Sequence, residues 1–268
     1  MDIILPQIIS PGTDEGRAIQ SVTFDDKNTW DDWQLLPVSR PVFAPPSTKT
    51  VYIDVPGGHG ALDLSEALSG YPIYNNRTGS FKFRVMNQGP MTWADKYSDI
   101  MGYLHGKKRI AILADDPAWT YDGRFEVSAW NSAPTWSEIE IAYNVKPFKM
   151  SIFYSTDDWL WNPFNFETGI IFQTIFKGIE INSPSVWVPK TFQGVLFGDS
   201  PVTPAFIAED SDMLDMRFVN PYLGIDKTFR LSDGDNVIND VIFFGEEEYT
   251  VYFKGVGRVD IKYKIGRL

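Results

Sequence analysis

Short strand patterns separated by turn-forming residues run through most of this chain and constrain its fold more than any other feature. Apolar and polar side chains alternate in residues 51–55, 81–85 and 137–145, which is the period of a half-buried strand. Residues 119–130 predict a hairpin, because Asp122-Gly123 tolerates positive φ between aromatic and β-branched arms. The sequence therefore predicts a mainly β protein.

One segment has helical periodicity instead. Its apolar positions recur at three- and four-residue spacing, at Trp93, Ala94, Tyr97, Ile100, Met101 and Leu104. Thr92 and Asp95 suit a short capping box, and Gly106 suits the left-handed residue that ends many helices. We predict one clear helix at residues 93–105 and a shorter helical turn at 62–68.

A change from alternating strand patterns to a turn-rich segment after residue 147 predicts two domains, 1–147 and 148–268. Residues 144–147 close one group of strand patterns, and residues 157–163 form a turn-rich connector that contains tryptophan. Beyond the connector, many short strand patterns separated by Pro, Gly and Asp-Gly favour a β-sandwich. The chain has no cysteine, so it needs no disulfide, which is compatible with assembly in a reducing cytoplasm.

Charge and hydropathy disfavour stable binding to nucleic acid and insertion into a membrane. The chain carries 35 acidic and 24 basic side chains, a net charge of −11, which predicts no stable nucleic-acid binding. No segment approaches the roughly 18 to 20 apolar residues of a membrane span, so we expect no membrane insertion. Residues 1–6 lack the basic start and longer apolar stretch of a secretory signal.

Two histidines leave little material for His-based catalysis. His59 lies in Gly57-Gly58-His59-Gly60, where no neighbouring nucleophile or orienting carboxylate is present, and a glycine-rich turn is the favoured interpretation. His105 lies at the predicted end of the helix, where an imidazolium interacts favourably with the helix dipole. The chain has no phosphate-binding loop, nucleophile elbow or zinc-helix motif.

Acidic clusters are the remaining candidates for chemistry. Asp115, Asp116 and residues 246–248 offer carboxylates for glycoside hydrolysis, but solvated turns are the favoured interpretation. Residues 209–212 and 233–236 offer oxygen ligands for calcium without the layout of an EF-hand loop. We therefore predict no enzyme activity and no catalytic, cofactor or metal site, and we assign no partner-interface residue.

A series of short motifs runs in order through the first half of the chain. The motifs are residues 23–24, 28–33, 37–42, 52–57, 60–68, 74–83, 103–108, 115–117 and 121–125, and looser ones follow at 201–204 and 255–263. The series resembles the distal tail proteins (Dit) of long-tailed, non-contractile, siphovirus-type bacteriophages. It covers most of residues 20–147.

This resemblance implies a structural protein. It implies an N-terminal β-sandwich-like domain with one α-helix and a β-hairpin, which forms a hexameric ring, and a C-terminal galectin-like β-sandwich. The ring would be the hub of the tail tip or baseplate, joining the tail tube to host-recognition proteins around a channel for DNA. Expected partners are further copies of the chain, the major tail tube protein and a tail-associated tip protein or lysin, with tape-measure and receptor-binding proteins as further candidates. The expected location is the virion tail tip, after assembly in the host cytoplasm.

The alternative is a carbohydrate-binding β-sandwich module, with or without weak glycoside hydrolase activity. Nine tryptophans, among them Trp30, Trp33, Trp136, Trp159 and Trp161, suit sugar platforms as well as cores and protein interfaces. We expect most of them in cores and two or three at an interface. The alternative does not explain the ordered motifs of the first half.

Overall fold

The computed structural model describes residues 20–86, 92–133, 136–157, 176–192, 198–220, 224–243, 245 and 248–268. These residues confirm the predicted mainly β fold, and they contain one α-helix. The chain divides into two compact units, Met1–Lys149 and Met150–Leu268. The assignment of a ring-forming domain and a galectin-like domain to the two halves stays a prediction.

Most strands of the first unit form one antiparallel sheet. The elements are β1 Val22–Phe24, β2 Lys27–Asn28, β3 Leu35–Pro37, β4 Tyr52–Asp54, β5 Ala61–Asp63, β6 Arg77–Val85, α1 Trp93–Leu104, β7 Lys107–Leu113, β8 Trp119–Ser132 and β9 Ser137–Val145. Six neighbouring pairs give the order β2-β1-β7-β8-β9-β6-β3, while β4 and β5 pair with each other in a separate small sheet.

Alternation places one face of this sheet in a core. In β9, Ile139, Ile141, Tyr143 and Val145 are buried, and the residues between them are more exposed. They pack with buried side chains of the other strands, among them Phe24, Phe83 and Phe125, in one cluster that includes Ile100 and Leu104 of the helix. Burial of each such large apolar side chain stabilises the fold by about 1.5–3 kcal/mol.

The helix forms where the sequence predicts it. The Thr92 side chain accepts a hydrogen bond from the Asp95 backbone N–H at 3.3 Å, and its hydroxyl lies 2.5 Å from the Asp95 carboxylate. Gly106, which follows the last turn, has φ of 70° as expected. The shorter helical turn predicted at 62–68 starts later than expected, because strand β5 occupies residues 61–63. Residues 65–69 form a hydrogen-bonded turn, in which the Gly70 N–H donates to the Glu66 carbonyl at 2.8 Å.

The hairpin predicted at residues 119–130 is wrong in its position. Strand β8 runs straight through Asp122 and Gly123, and Gly123 is paired with Arg109 on one side and Val145 on the other. The chain reverses instead at residues 114–118, between β7 and β8, so Asp122 and Gly123 lie in the second strand of a hairpin and not in its turn.

Gly123 serves close strand packing. A Cβ at this position would lie 2.3 Å from the Asn144 carbonyl oxygen and 2.4 Å from the Val145 Cα atom. The backbone of β9 therefore approaches β8 more closely than any side chain at residue 123 would permit. The Asp-Gly pair is a local signal for a turn, but here the glycine is required by pairing with two neighbouring strands.

The second unit combines three strands of 14 to 16 residues with shorter ones. They are β10 Lys149–Tyr154, β11 Ile179–Phe192, β12 Ala205–Asn220, β13 Ile225–Arg230, β14 Gly234–Val237, β15 Tyr249–Lys262 and β16 Lys264–Arg267. Strands pair in the order β11-β15-β12-β13, β14 also pairs with β12, and β10 pairs with β16. Phe206, Phe218 and Phe253 are fully buried in a separate core cluster. The predicted connector at residues 157–163 lies outside the described residues except for Asp157.

The same substitution at two glycines of the first unit should have opposite effects. G123A adds a methyl group against the β9 backbone and should lower the free energy of unfolding by about 1–3 kcal/mol. G102A, on the open face of α1 with no atom within 4 Å of its Cβ, should raise it by about 0.5–1 kcal/mol. Urea denaturation followed by circular dichroism measures both. Equal shifts would contradict the close-packing explanation of Gly123.

Candidate functional site: an exposed apolar arm

Residues 48–74, which we call the arm, carry a concentration of exposed apolar side chains. The arm lies between β3 and β6 in the chain. Its two strands, β4 and β5, pair Tyr52 with Asp63 and Ile53 with Leu62. The exposed fractions are 54% for Val51, 59% for Tyr52, 49% for Ile53, 50% for Val55, 53% for Leu62, 102% for Leu68 and 40% for Ile73. Soluble proteins seldom expose this many neighbouring apolar side chains unless the surface has a partner.

The arm corrects one prediction from the sequence. Alternation in residues 51–55 correctly predicts a strand, but no side chain of β4 is buried within the chain. Strands β4 and β5 pair only with each other among the described strands, so neither face of the hairpin rests on a core. An isolated two-stranded hairpin is marginally stable in water, and apolar residues on it add little until another surface covers them.

Local hydrogen bonds hold the hairpin of the arm in shape. The Ser65 hydroxyl accepts from the Val51 backbone N–H at 2.9 Å and donates to the Asp63 carboxylate at 2.5 Å. The Ser65 backbone N–H also donates to Asp63, at 2.9 Å, and these bonds lower the pKa of Asp63. At the tip, Gly57 and Gly60 have φ of 79° and 77°, which allows the chain to reverse.

The base of the arm is joined by backbone pairing. Thr48 and Tyr74 form an antiparallel bridge, and the Lys49 N–H donates to the Ile73 carbonyl at 2.7 Å. The Tyr74 ring also contacts the Phe148 ring, with their centroids 5.8 Å apart. The two ends of the arm are thus held together at its base, between β3 and β6.

A buried arginine fixes the chain on both sides of this base. Arg77 is 6% exposed; its Nε donates to the Pro147 carbonyl at 2.7 Å and its Nη1 to the Ala44 carbonyl at 3.2 Å. The Tyr143 hydroxyl accepts from the Ala44 N–H at 2.8 Å. No carboxylate pairs with Arg77 among the described residues, and burial lowers the pKa of its guanidinium. The arginine therefore acts as a hydrogen-bonding anchor for two separate stretches of backbone, at Ala44 and at Pro147.

The structure keeps the sequence-predicted histidines apart. His59 lies in the exposed turn at the tip of the arm, between the two positive-φ glycines. His105 caps α1, and its backbone N–H donates to the Met101 carbonyl at 3.1 Å. These are the positions that the favoured interpretations predict.

The predicted acidic residues pair with nearby groups. Asp115 lies 2.5 Å from Arg40 and Asp116 lies 2.6 Å from Lys149, so the two carboxylates bind separate cations. The Asp233 carboxylate accepts from the Ser211 backbone N–H at 2.9 Å, and hydrogen bonding from the side chain and the backbone of Ser211 lowers the pKa of Asp233. Within the part of the chain that the structure describes, no three His, Asp or Glu side chains are grouped to hold a metal ion. Glu246 and Glu247 lie outside that part.

The tryptophans divide between core and surface. Trp33 is fully buried and its Nε1 donates to the Asp99 carboxylate at 2.7 Å. Trp93 and Trp130 pack with centroids 4.1 Å apart, and Trp136 is 46% exposed. Trp159 and Trp161 lie outside the described residues, so the expected division between cores and an interface stays a prediction. No helix in the described ranges is long and apolar enough to cross a membrane.

Comparison with known proteins identifies the fold. No protein-family model matches the chain, and no curated protein sequence matches it significantly. Among solved structures, the chain is similar to the crystal structure of the Dit protein of phage SPP1, described as a paradigm of the hub adsorption apparatus in phages that infect Gram-positive bacteria. The TM-score is 0.56 at 12% sequence identity, covering 93% of this chain and 100% of the SPP1 protein. The chain therefore has a distant Dit-like fold.

Arg77 should be necessary for the stability of the first unit. R77M leaves two carbonyl groups at the base of the arm without their donor and should lower the free energy of unfolding by roughly 2–3 kcal/mol. R84M is the matched control, because Arg84 is exposed and lies 3.9 Å from Glu138; its effect should stay below about 1 kcal/mol. Chemical denaturation measures both, and equal effects would contradict the anchoring role of Arg77.

Proposed function

We propose that this chain is a structural hub of a phage tail tip. The observation that supports this most is the Dit-like fold, since the similarity to the SPP1 hub protein extends over 93% of this chain. The ordered motifs of residues 20–147 resemble the same family independently of the fold. Fold alone does not fix function, so the exposed arm supplies the second line of support.

In this proposal six copies form a closed ring through the first unit. The number six comes from the family resemblance alone. A closed ring uses a head-to-tail interface in which two different patches meet, so each copy contributes one patch to one neighbour and the other patch to the next. The arm suits one of these two patches, because its apolar side chains are exposed in the single chain and its base is fixed by Arg77. A persistent interface buries about 1,000 Å² or more in total.

The ring would join the tail tube to tail-tip proteins and surround a channel for DNA. Its partners would be the major tail tube protein and a tail-associated tip protein or lysin, with tape-measure and receptor-binding proteins as further partners. The net charge of −11 suits passage of DNA, because an acidic surface repels phosphates instead of holding them. The protein would act without catalysis, and it would reside at the virion tail tip after assembly in the host cytoplasm.

Two substitutions on the arm should abolish ring assembly without unfolding the chain. Ile53 and Leu62 face each other across β4 and β5 and are both about half exposed, so I53D/L62D should leave the thermal unfolding midpoint nearly unchanged. Two carboxylates placed within an apolar interface should nevertheless prevent association. Native mass spectrometry of the full chain, alone and mixed with the tail tube protein of the same phage, should show hexamers only for the wild type.

The control introduces two aspartates at exposed apolar positions of the second unit instead. V186D/M213D changes two apolar residues that are 66% and 71% exposed there, and it should assemble like the wild type. A wild-type chain that stays monomeric or dimeric with and without the tube protein would contradict the ring. Assembly of I53D/L62D into hexamers would contradict the role of the arm alone.

A further inference from the structure

A groove on the second unit contains two lysine side chains that form no ion pair with a described carboxylate. The groove encloses about 430 Å³, within the range of small-molecule sites. Lys262 and Lys264 are half-buried in its wall, and each ammonium group lies 4.6 Å from the centroid of the Tyr154 ring. Among the described residues, neither ammonium has a carboxylate within 4.0 Å.

Several other lysines of the chain do have a carboxylate partner. Lys149 pairs with Asp116 at 2.6 Å, and Lys227 pairs with Asp240 at 2.9 Å. At the groove the aromatic ring holds both cations, and burial lowers the pKa of Lys264, with the neighbouring Lys262 lowering it further. Asp157 acts in the opposite direction. Two like charges that are partly removed from water create a site where an anion is favoured.

The rest of the lining selects the kind of anion. The groove also contains Thr203 and the exposed carboxylate of Asp235, which would repel a bare anion. The same groups form hydrogen bonds with hydroxyls, since a carboxylate is an acceptor and a threonine hydroxyl is both donor and acceptor. Apolar residues such as Val237 complete the wall and suit the C–H groups of a carbon chain or sugar ring. The lining therefore favours a ligand that carries a phosphate and hydroxyl groups together.

We propose that this groove binds a phosphate ester of a polyol or sugar. The phosphate accepts charge-assisted hydrogen bonds from Lys262 and Lys264, and the hydroxyl groups of the ligand bond to Asp235 and Thr203. Two ammonium groups match a phosphate monoester, which carries close to two negative charges at neutral pH, better than a single carboxylate. Phosphate and hydroxyl groups also occur together along polymers of polyol phosphate, where each linking phosphate is a diester with one negative charge.

Isothermal titration calorimetry of the full chain tests the proposal with glycerol 3-phosphate, glycerol and poly(glycerol phosphate). Glycerol 3-phosphate should bind and glycerol should not. Tighter binding of the polymer per phosphate would identify a polymer as the source, whereas equal binding would identify a small ester. K262Q/K264Q, which keeps most of the side-chain length, should weaken binding by about tenfold or more.

Two further variants make the test specific. K190Q/K227Q removes the same charge outside the groove and should leave the affinity unchanged. D235N should strengthen binding of inorganic phosphate more than binding of glycerol 3-phosphate, because it removes repulsion together with an acceptor for hydroxyls. Thermal unfolding of each variant checks folding, and chemical shift changes in the wild type at Lys262 and Lys264 locate the site without substitution.

Three outcomes would overturn the proposal. The first is that glycerol 3-phosphate gives no more heat and no larger chemical shift change than sodium sulfate added at the same concentration of negative charge. The second is equal weakening by K262Q/K264Q and K190Q/K227Q, which would show a general charge effect. The third is a groove variant that loses association with a tail protein while its binding of glycerol 3-phosphate is unchanged, which would assign the lysines to a protein partner.

Discussion

One buried face of an antiparallel sheet holds the first unit together. Strand β8 pairs with β7 on one side and β9 on the other, so Phe125 and the alternate residues of β9 turn into the same core. Helix α1 closes that core with Ile100 and Leu104. The arm departs from this arrangement, because its strands have no core behind them and depend on Arg77 and backbone pairing at the base for their position.

Much of this architecture could be predicted from sequence, because local patterns and tertiary burial agree. The alternation in β9 and the capping residues of α1 predict elements that the core then uses. Gly123 shows where local signals fail, since an Asp-Gly pair suits a turn as well as it suits close approach between strands. Only the pairing partners decide between the two, and these come from distant parts of the chain.

The candidate site was harder to predict for a physical reason. Alternation in residues 51–55 predicts that one side of a strand is covered, but it cannot distinguish a core of the same chain from the surface of another molecule. Arg77 gives no sequence signal at all, because its partners are the carbonyls of Ala44 and Pro147 rather than acidic side chains. In the sequence, Lys262 and Lys264 resemble ordinary charged residues at the ends of strands. Only the structure shows that both ammonium groups lie beside the Tyr154 ring.

The arm also affects the chain before any partner is met. The outer edges of β4 and β5 are unpaired within the described sheet, and such edges act as templates for strands of other molecules. These edges and the exposed apolar side chains favour contact between chains, whereas the net charge of −11 opposes it. The two effects oppose each other over different ranges, since the repulsion extends about one Debye length and the adhesion acts only at contact. In the proposed ring, the same short segment and the ionic strength around it would set both the colloidal stability of the free chain and its capacity to join other copies.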